Sequence, residues 1–411
     1  MRTVLVLGGG SAGTLVANRL RERLPGDAWR IAVVDADEAH HYRPGYLFVP
    51  FGSYDRSDVL RPKRNLLADG VDWILGELAS VDAERHAVTL VGGRELGYDL
   101  LVVATGSALR PDLTPGLLGP AWRDTVHEFY TLEGAEALRD ALPRFEQGRL
   151  VVHVTELPIT CPVAPLEFAF LADAFYRERG VRDRIEIVYA TPLDGAFTTP
   201  DASARLGHLL EQRGIALETD LVVESVDPQA RELRSYDDRV VGYDLLVTVP
   251  VHAGARALEG SGLEDHAGFV EVDPATLQSK RQPDVFAVGD AADLPISKSG
   301  SAAHHAASVL VDNVVARAEG RPLPAAYGGQ VECFVETGDD RAVLLAYDYR
   351  TPPKPGRFPL PGIGPFTLLE ETAMNHAGKM LFKWSYWHLL LRGHELPLPG
   401  VRPADASEVA A

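Results

Sequence analysis

A glycine-rich turn near the start of the chain constrains the fold more than any other feature. The apolar run 3–7 leads into it, a helix pattern follows over 12–24, and a second apolar run, 31–34, ends at Asp35. Gly8 permits a tight turn, Gly10 lets the backbone approach a pyrophosphate, and Gly13 lets helix and strand pack closely. Asp35 can accept hydrogen bonds from ribose hydroxyls. The sequence therefore predicts a Rossmann-like dinucleotide site, in which we include Ala12 at the predicted helix start.

An internal repeat predicts a second domain of the same kind. The sequence Gly-Tyr-Asp-Leu-Leu-Val occurs at 97–102 and again at 242–247. We therefore predict an α/β protein with two Rossmann-like domains, the first formed by residues 1–127 and 252–319 and the second by 128–251. A small C-terminal domain over 320–396 would contain strands at 331–336 and 342–349. The tail, 397–411, is expected to be disordered.

Composition excludes several classes of protein. The net charge of −18 argues against nucleic acid as a partner, because phosphate binding needs clustered Lys and Arg. Two cysteines in 411 residues exclude a secreted disulfide scaffold. The first strand pattern begins at residue 3, which leaves no room for a signal peptide, so we expect synthesis in the cytoplasm.

The second domain lacks the glycine turn that its fold would need for a nucleotide. Apolar runs at 149–155 and 184–189 flank a helix pattern over 166–179, as in the first domain. The intervening stretch, 157–168, has no glycine and carries Cys161 and three prolines instead. The strand pattern at 184–189 is followed by Ala190 and Thr191 rather than by an acidic residue. The sequence predicts a domain that kept its fold and lost its NAD(P)H site.

The two cysteines are the candidate reactive groups. Cys161 precedes a predicted helix start, where positive partial charge should lower the pKa of a thiol and favour the thiolate. Glu167 could exchange a proton there, or it could simply compensate the helix dipole. Cys333 lies in a strand pattern, where a buried structural thiol is the ordinary alternative. The adjacent His304 and His305 cannot share a helical face, so we predict no metal site.

Two further segments resemble known flavin signatures. Residues 98–106 and 284–290 are similar to the second and third FAD signatures of the glutathione reductase-like superfamily. This resemblance implies FAD at the first site, with Thr105 and Gly106 in one signature and Asp290 binding the ribitol from the other. We also include Arg43 and Leu78 in the predicted cofactor-binding set.

Nearly the whole chain resembles the sulfide:quinone oxidoreductases, a family related to the flavoprotein subunit of flavocytochrome c sulfide dehydrogenase. The similarity lies in 160–165 with Glu167, in 298–300, in 333–338 and in 375–379. It implies that Cys161 and Cys333 lie near the flavin, joined as a disulfide or through bridging sulfur. Sulfide would form a persulfide, and a cysteine thiolate, Cys333 by position, would add to the flavin. Two electrons would then reach FAD and afterwards a quinone in the membrane.

The resemblance also implies roles for residues around the flavin. A helix over 301–318 would aim its N-terminus at the flavin ring, where Lys298 would add a positive charge, although a solvent-facing lysine is the alternative. Phe334, Phe358 and Phe366 are the candidate quinone-binding residues. Many members carry a third cysteine that can link to the flavin. The corresponding stretch here, 126–131, has none, so FAD is expected to bind noncovalently.

A basic, aromatic segment near the C-terminus predicts contact with a membrane surface. Residues 372–394 contain no Asp or Glu, and we assign the contact to 376–392. The segment is too short and too polar to span a bilayer, but it suits an interfacial helix. Trp384, Tyr386 and Trp387 would lie at headgroup level. A core or dimer-interface helix is the alternative, and the membrane face and a homo-oligomer stay open.

Three other functions remain open from the sequence. A type II NADH dehydrogenase would share the FAD fold and the membrane contact, but it needs NADH beside the flavin. A flavin-bound sulfane-sulfur carrier or redox sensor would use the same cysteines without turnover. A soluble cytochrome could replace the quinone as electron acceptor.

Overall fold

The computed structural model describes residues 1–360, 362–394 and 404–405. Seven α-helices lie within this part of the chain, and those predicted at 12–24, 166–179 and 301–318 are each confirmed to within two residues. In chain order the helices are α1 Ser11–Arg23, α2 Arg56–Val59, α3 Leu132–Ala141, α4 Ala164–Glu178, α5 Pro200–Gln212, α6 Gly300–Ala318 and α7 Ala373–His388.

The first sheet is parallel and five-stranded, and α1 and α6 pack on one of its faces. Its central strand leads into the glycine turn, whose close contacts explain two of the three glycines. A Cβ on Gly13 would lie 1.8 Å from the carbonyl oxygen of Gly8, and one on Gly8 would lie 2.4 Å from that of Ala104. In order across the sheet, the strands are Val285–Ala287, Leu100–Val103, Arg2–Leu7, Trp29–Asp35 and Val71–Leu75.

The second sheet repeats this arrangement. Each copy of the repeated hexapeptide begins at the last residue of a three-stranded antiparallel meander and continues into a strand next to the central strand of its own sheet. Its parallel strands are, in order, Val126–His127, Leu245–Val249, Gly148–Val154, Ile185–Ala190 and Ile215–Glu218. The meanders are Leu78–Asp82, Ala87–Leu90 and Glu95–Gly97 in the first unit, and Val223–Asp227, Glu232–Ser235 and Val240–Gly242 in the second. The strand Val126–His127 belongs to the second sheet, although it precedes the domain boundary predicted at residue 128.

The C-terminal sheet shares a core with the second unit, because α4 lies between the two. Phe168 and Ala172 of α4 belong to one apolar cluster with Val335 and Val343 of the C-terminal sheet and with Ile187 of the second sheet. The strands are Val331–Gly338, Arg341–Tyr347, Gly356–Phe358, Phe366–Leu368 and Glu371–Thr372. Helix α7 packs on the strand Arg341–Tyr347.

Short strand pairs and 3₁₀ turns complete the described chain. The pairs are Ala39–His41 with Leu60–Pro62, Ala108–Leu109 with His252–Ala253, Val270–Glu271 with Ala292–Asp293, and Ala325–Ala326 with Ala404–Asp405. Of the tail predicted to be disordered, only this last strand is described, and the rest of 397–411 lies outside the described residues. None of the helices described in residues 1–360 and 362–394 is long and apolar enough to cross a bilayer.

Candidate active site

The turn that carries Cys161 is hydrogen-bonded to the segment 290–298, which follows the edge strand Val285–Ala287 of the first sheet. The Cys161 N–H donates to the carbonyl oxygen of Lys298 at 2.5 Å, and the Cys161 carbonyl accepts from Ala164 N–H at 2.9 Å. Next to it, the Thr160 hydroxyl donates to the Asp290 carboxylate at 2.6 Å. Cys161 itself has a φ of 51°, in the left-handed region. The turn of the second unit therefore lies directly against the Asp290 segment of the first.

Cys333 reaches the same region from the C-terminal sheet. Its side chain is buried in the apolar cluster against which Cys161 packs. A hydrogen bond with Ser299, the N-cap residue of α6, partly offsets the effect of burial on its thiol. Both cysteines are free thiols. A disulfide or bridging sulfur between them stays a prediction.

The predicted pKa of Cys161 is wrong in direction. Burial raises it to about 12, the negative charge of Glu167 adds to this effect, and the positive charge of Lys379 only partly offsets it. Burial also raises the pKa of Cys333 well above its usual value, and the charges of Cys161 and Glu167 contribute. The helix effect fails because α4 begins only at Ala164 and carries Glu167 in its first turn. Both thiols are therefore protonated at neutral pH.

Glu167 and Lys379 form a buried ion pair beside Cys161. The Glu167 carboxylate accepts from the Lys379 ammonium and, at 2.7 Å, from the Glu336 N–H. Lys379 also donates to the Phe334 carbonyl at 3.1 Å. Burial raises the pKa of Glu167 despite this partner. Burial lowers the pKa of Lys379, but the charges of Glu167 and Glu336 raise it more. Glu167 therefore has a cationic partner in addition to its place in the first turn of α4.

Ionisable side chains continue from this pair to the surface. The buried Glu336 carboxylate accepts from His376 Nδ1 at 2.9 Å. His376 Nε2 lies 3.6 Å from the carboxylate of Asp340, whose side chain is 93% exposed. These groups link the neighbourhood of the cysteines to solvent along one edge of the C-terminal sheet.

The first glycine turn has the space and the polar groups that a dinucleotide needs. A Cβ on Gly10 or on Gly106 would meet nothing within 4 Å, which leaves both backbones open to a ligand. The buried Thr105 hydroxyl has no hydrogen-bond partner in the protein. Neither α1 nor α6 carries an acidic residue in its first turn, so both N-termini can face negative charge. The residues present therefore fit FAD, with its diphosphate at α1.

Asp35 lies at the end of its strand, but it is not alone there. Its carboxylate accepts from Gly9 N–H at 2.7 Å and from Asp37 N–H at 2.9 Å. It also pairs with the buried ammonium of Lys63 at 2.9 Å. A carboxylate can accept about four hydrogen bonds, so capacity for a ribose hydroxyl remains. Lys63 is a residue of this site that the sequence analysis did not identify.

The other predicted cofactor residues lie in different environments. Lys298 is buried, and its ammonium donates to the carbonyl oxygens of Asp290 at 2.9 Å and Ala292 at 2.8 Å, so the solvent-facing alternative is wrong. Arg43 is exposed at the start of the 3₁₀ turn Arg43–Phe48. Leu78 is the first residue of a meander strand and is half-buried. Their contacts with FAD stay predictions.

The three phenylalanines predicted for the quinone come together. The rings of Phe334 and Phe366 lie edge to face with centroids 5.6 Å apart, and Phe366 pairs with Phe358 across neighbouring strands. A Cβ on Gly378 of α7 would lie 2.6 Å from the Phe366 ring and 2.9 Å from the Phe334 ring. Because Gly378 precedes Lys379, the three phenylalanines lie next to the buried ion pair of Lys379 and Glu167.

The surface of α7 differs from the expectation. Tyr386 and Trp387 are only 5% and 6% exposed, so they face the protein interior and not a headgroup layer. Lys379 points inward, and Lys383 pairs with Asp58 at 2.6 Å. The outward face consists of residues spaced three or four apart, namely Met374, Ala377, Leu381, Trp384 and His388.

That spacing was readable from the sequence. Assigning the outward face to positions 374, 377, 381, 384 and 388 puts Lys379 and Tyr386, seven residues apart, on the inward face. The partners of these two side chains come from distant parts of the chain, and no sequence signal identifies them.

Among the described residues, no group of three or more His, Cys, Asp or Glu could hold a metal ion.

The chain is similar to known oxidoreductases. The family model described as pyridine nucleotide-disulphide oxidoreductase matches residues 2–309. The mitochondrial sulfide:quinone oxidoreductase of Mus musculus is 28% identical over 400 residues, which cover 95% of this chain and 86% of that protein. An NADH dehydrogenase-like protein of Mycobacterium tuberculosis is 26% identical over 71% of this chain and 73% of its own length. The solved sulfide:quinone oxidoreductase of Aquifex aeolicus superposes with a TM-score of 0.81 at 19% identity, covering 96% of this chain and 92% of that one.

Proposed function

Because the chain belongs to the pyridine nucleotide-disulphide oxidoreductase family, we propose that it uses FAD to oxidise sulfide to sulfane sulfur and passes the electrons to a quinone. The observation that carries this proposal is that the structure brings the two cysteines together. Cys161 replaces the second nucleotide turn, and Cys333 reaches the same apolar cluster from another domain. The relatives named sulfide:quinone oxidoreductases, which match over 95% of the chain, support the same activity.

The second unit is poorly suited to NADH. Its turn has no glycine, and the Cys161 N–H already donates to Lys298. The ring of Phe168, on α4, stacks on the ring of Phe129 in the core, with centroids 4.9 Å apart. The strand Ile185–Ala190 is followed by the buried Thr191, which cannot replace the acidic residue that holds a ribose. This favours sulfide over a nicotinamide as the electron donor.

The sulfur chemistry balances on the two cysteines. Hydrosulfide attacks a Cys161–Cys333 disulfide, so one S–S bond breaks, a persulfide forms on one cysteine, and the other is released. FAD, when bound, would supply the two-electron oxidant with which the persulfide and the thiol close to a trisulfide and release two protons. A second hydrosulfide removes the central sulfur as hydrogen disulfide and restores the disulfide. Two hydrosulfide ions thus give one hydrogen disulfide ion, one proton and two electrons.

Glu167 is the proton carrier in this scheme. The high pKa values of both thiols mean that a released cysteine takes up a proton rather than staying a thiolate. Glu167 is close enough to Cys161 for its negative charge to raise the pKa of that thiol, which makes it the carboxylate placed to exchange a proton with the cysteine. Lys379, Glu336 and His376 provide ionisable groups between it and solvent.

We propose that FAD is held noncovalently. The glycine turn, Thr105 and Asp290 are the binding groups, and the chain's two cysteines belong to the sulfur site. Acid precipitation should leave all of the flavin in the supernatant. Flavin retained in the protein pellet would contradict this proposal.

A titration followed by flavin absorbance separates the candidate functions. We expect sulfide to bleach the flavin of the anaerobic protein, decylubiquinone to restore it, and NADH to have no rapid effect. Rapid bleaching by NADH would instead favour an NADH dehydrogenase, consistent with the similarity to the mycobacterial protein. A flavin that sulfide reduces but decylubiquinone cannot reoxidise would favour a sulfur carrier or a cytochrome acceptor.

The outward face of α7 is the proposed membrane contact. Leu381 and Trp384 are 59% and 53% exposed, and Ile363 on the preceding loop is 80% exposed. An exposed apolar face of this kind suits peripheral binding to a bilayer surface. The predicted basic character contributes less than expected, since Lys379 and Lys383 are both paired.

Replacing both Leu381 and Trp384 by Asp should weaken binding to phosphatidylcholine–phosphatidylglycerol vesicles by roughly tenfold or more, because two apolar side chains no longer enter the bilayer. Co-sedimentation measures this change. Tyr236→Asp, at a 70% exposed position in the second unit, is the matched control. Unchanged sedimentation of the double variant would contradict the assignment.

A further inference from the structure

The inward face of α7 contacts the dinucleotide turn. The Tyr386 hydroxyl lies 2.5 Å from the Ser11 hydroxyl and 2.6 Å from His40 Nε2. His40 Nδ1 lies 3.2 Å from the Gly9 carbonyl oxygen. His40 is fully buried and Tyr386 nearly so. A residue near the C-terminus thus contacts both sides of Gly10, directly at Ser11 and through His40 at Gly9.

The direction of every hydrogen bond in this group is determined. A carbonyl oxygen can only accept, so His40 Nδ1 carries the proton. Burial lowers the pKa of His40 to about 3, so the ring is neutral and Nε2 accepts. Tyr386 therefore donates to His40 and accepts from Ser11. The hydroxyl of Tyr386 both donates and accepts, which fixes the positions of two residues of the turn at once.

The segment after α7 holds α1 at two more points. The Asn18 side chain donates to the carbonyl oxygens of Leu66 and Leu391, each at 2.7 Å. Arg19 donates to the Gly393 carbonyl at 3.0 Å. We call Tyr386, Leu391 and Gly393 the C-terminal latch. The latch contacts α1 at its N-terminus and again about two turns further along.

We propose that Tyr386 is a positioning residue for FAD, and that the C-terminal latch slows release of the cofactor. A diphosphate is bound by backbone N–H groups at a helix N-terminus, so its affinity depends on the exact position of the turn from Gly9 to Ser11. Tyr386 fixes that turn without needing to touch the ligand. The inference rests on FAD binding at this site, but not on sulfide or quinone as substrates.

FAD release from the intact holoenzyme tests the proposal, with flavin fluorescence as the readout after dilution. Tyr386→Phe keeps the ring and removes only the hydroxyl, so we expect release to be roughly five- to tenfold faster. Tyr54→Phe is the matched control, because its hydroxyl contacts Met380 on the same helix but not the turn. Release from Tyr54→Phe should match that of the unmodified protein.

Ser11→Ala provides a second variant that removes the same hydrogen bond from the other side. Because Tyr386→Phe already removes this hydrogen bond, adding Ser11→Ala to it should change the release rate little further. Unchanged release from Tyr386→Phe, equally fast release from Tyr54→Phe, or additive effects of the two changes would overturn the proposal. No sulfide or quinone is present, so failure of the proposed reaction leaves this test valid.

Discussion

Replacing either Cys161 or Cys333 by Ser should abolish reduction of the flavin by sulfide, with a loss of at least roughly a thousandfold in rate. Each thiol supplies one end of the S–S bond that sulfide attacks, and a hydroxyl cannot replace it. Stopped-flow measurement of flavin absorbance after anaerobic addition of sulfide gives the rate. The two single variants should be equally inactive, because neither remaining cysteine has a partner.

Dithionite provides the control for this experiment, since it reduces flavin without the cysteines. Both variants should bind FAD and be bleached by dithionite at the normal rate. Normal bleaching by sulfide in both variants would contradict the proposed sulfur chemistry. Loss in the Cys161 variant alone would assign Cys333 to the structural role that the sequence left open for it.

Replacing Lys379 by Met should lower the free energy of unfolding by about 3–5 kcal/mol near neutral pH, because Glu167 and Glu336 would remain buried without their shared cation. Urea denaturation of the FAD-loaded protein measures the change. Lys383→Met, four residues later on α7, is the matched control. It removes a partly exposed ion pair with Asp58 and should cost no more than about 1 kcal/mol.

The penalty for Lys379→Met should depend on pH in a defined direction. Without the ammonium, the pKa of Glu167 in the folded protein rises further above its ordinary value of 4.5. A group with a raised folded-state pKa contributes stability in full below its unfolded pKa and loses that contribution as pH rises through the folded pKa. The penalty should therefore grow as pH rises from the ordinary Glu value of 4.5 through the raised folded-state pKa of Glu167. Equal stability of the Lys379 and Lys383 variants across this range would contradict the assignment of a buried ion pair.

The fold was largely predictable, because its signals are local. Gly8 and Gly13 are required where the backbones of strand and helix come together, and the hexapeptide repeat marks equivalent strands in two sheets. The predicted third domain is less separate than expected. Its sheet shares the core of the second unit through α4, and that contact joins residues about 170 positions apart, such as Glu167 and Glu336.

The sequence identified residues that the structure brings together, but not the electrostatics among them. Cys161 precedes a helix, which alone would favour a thiolate, yet burial and Glu167 raise its pKa to about 12. Lys379, Tyr386 and Trp387 were assigned to a membrane surface because the segment is basic and aromatic, but all three face inward. The spacing of helical faces separates Lys379 and Tyr386 from Leu381 and Trp384. It cannot name the partners they meet.

The sequence by itself determined the two nucleotide-binding folds, the first dinucleotide turn, the missing second turn and the two cysteines, because each depends on residue types at short fixed spacings. Only the tertiary structure decided that Cys333 shares a cluster with Cys161, that Lys379 neutralises Glu167, and that Tyr386 reaches Ser11. Those contacts join residues 172, 212 and 375 positions apart. Their chemistry depends on burial, which is a property of the packed chain and not of any segment of it.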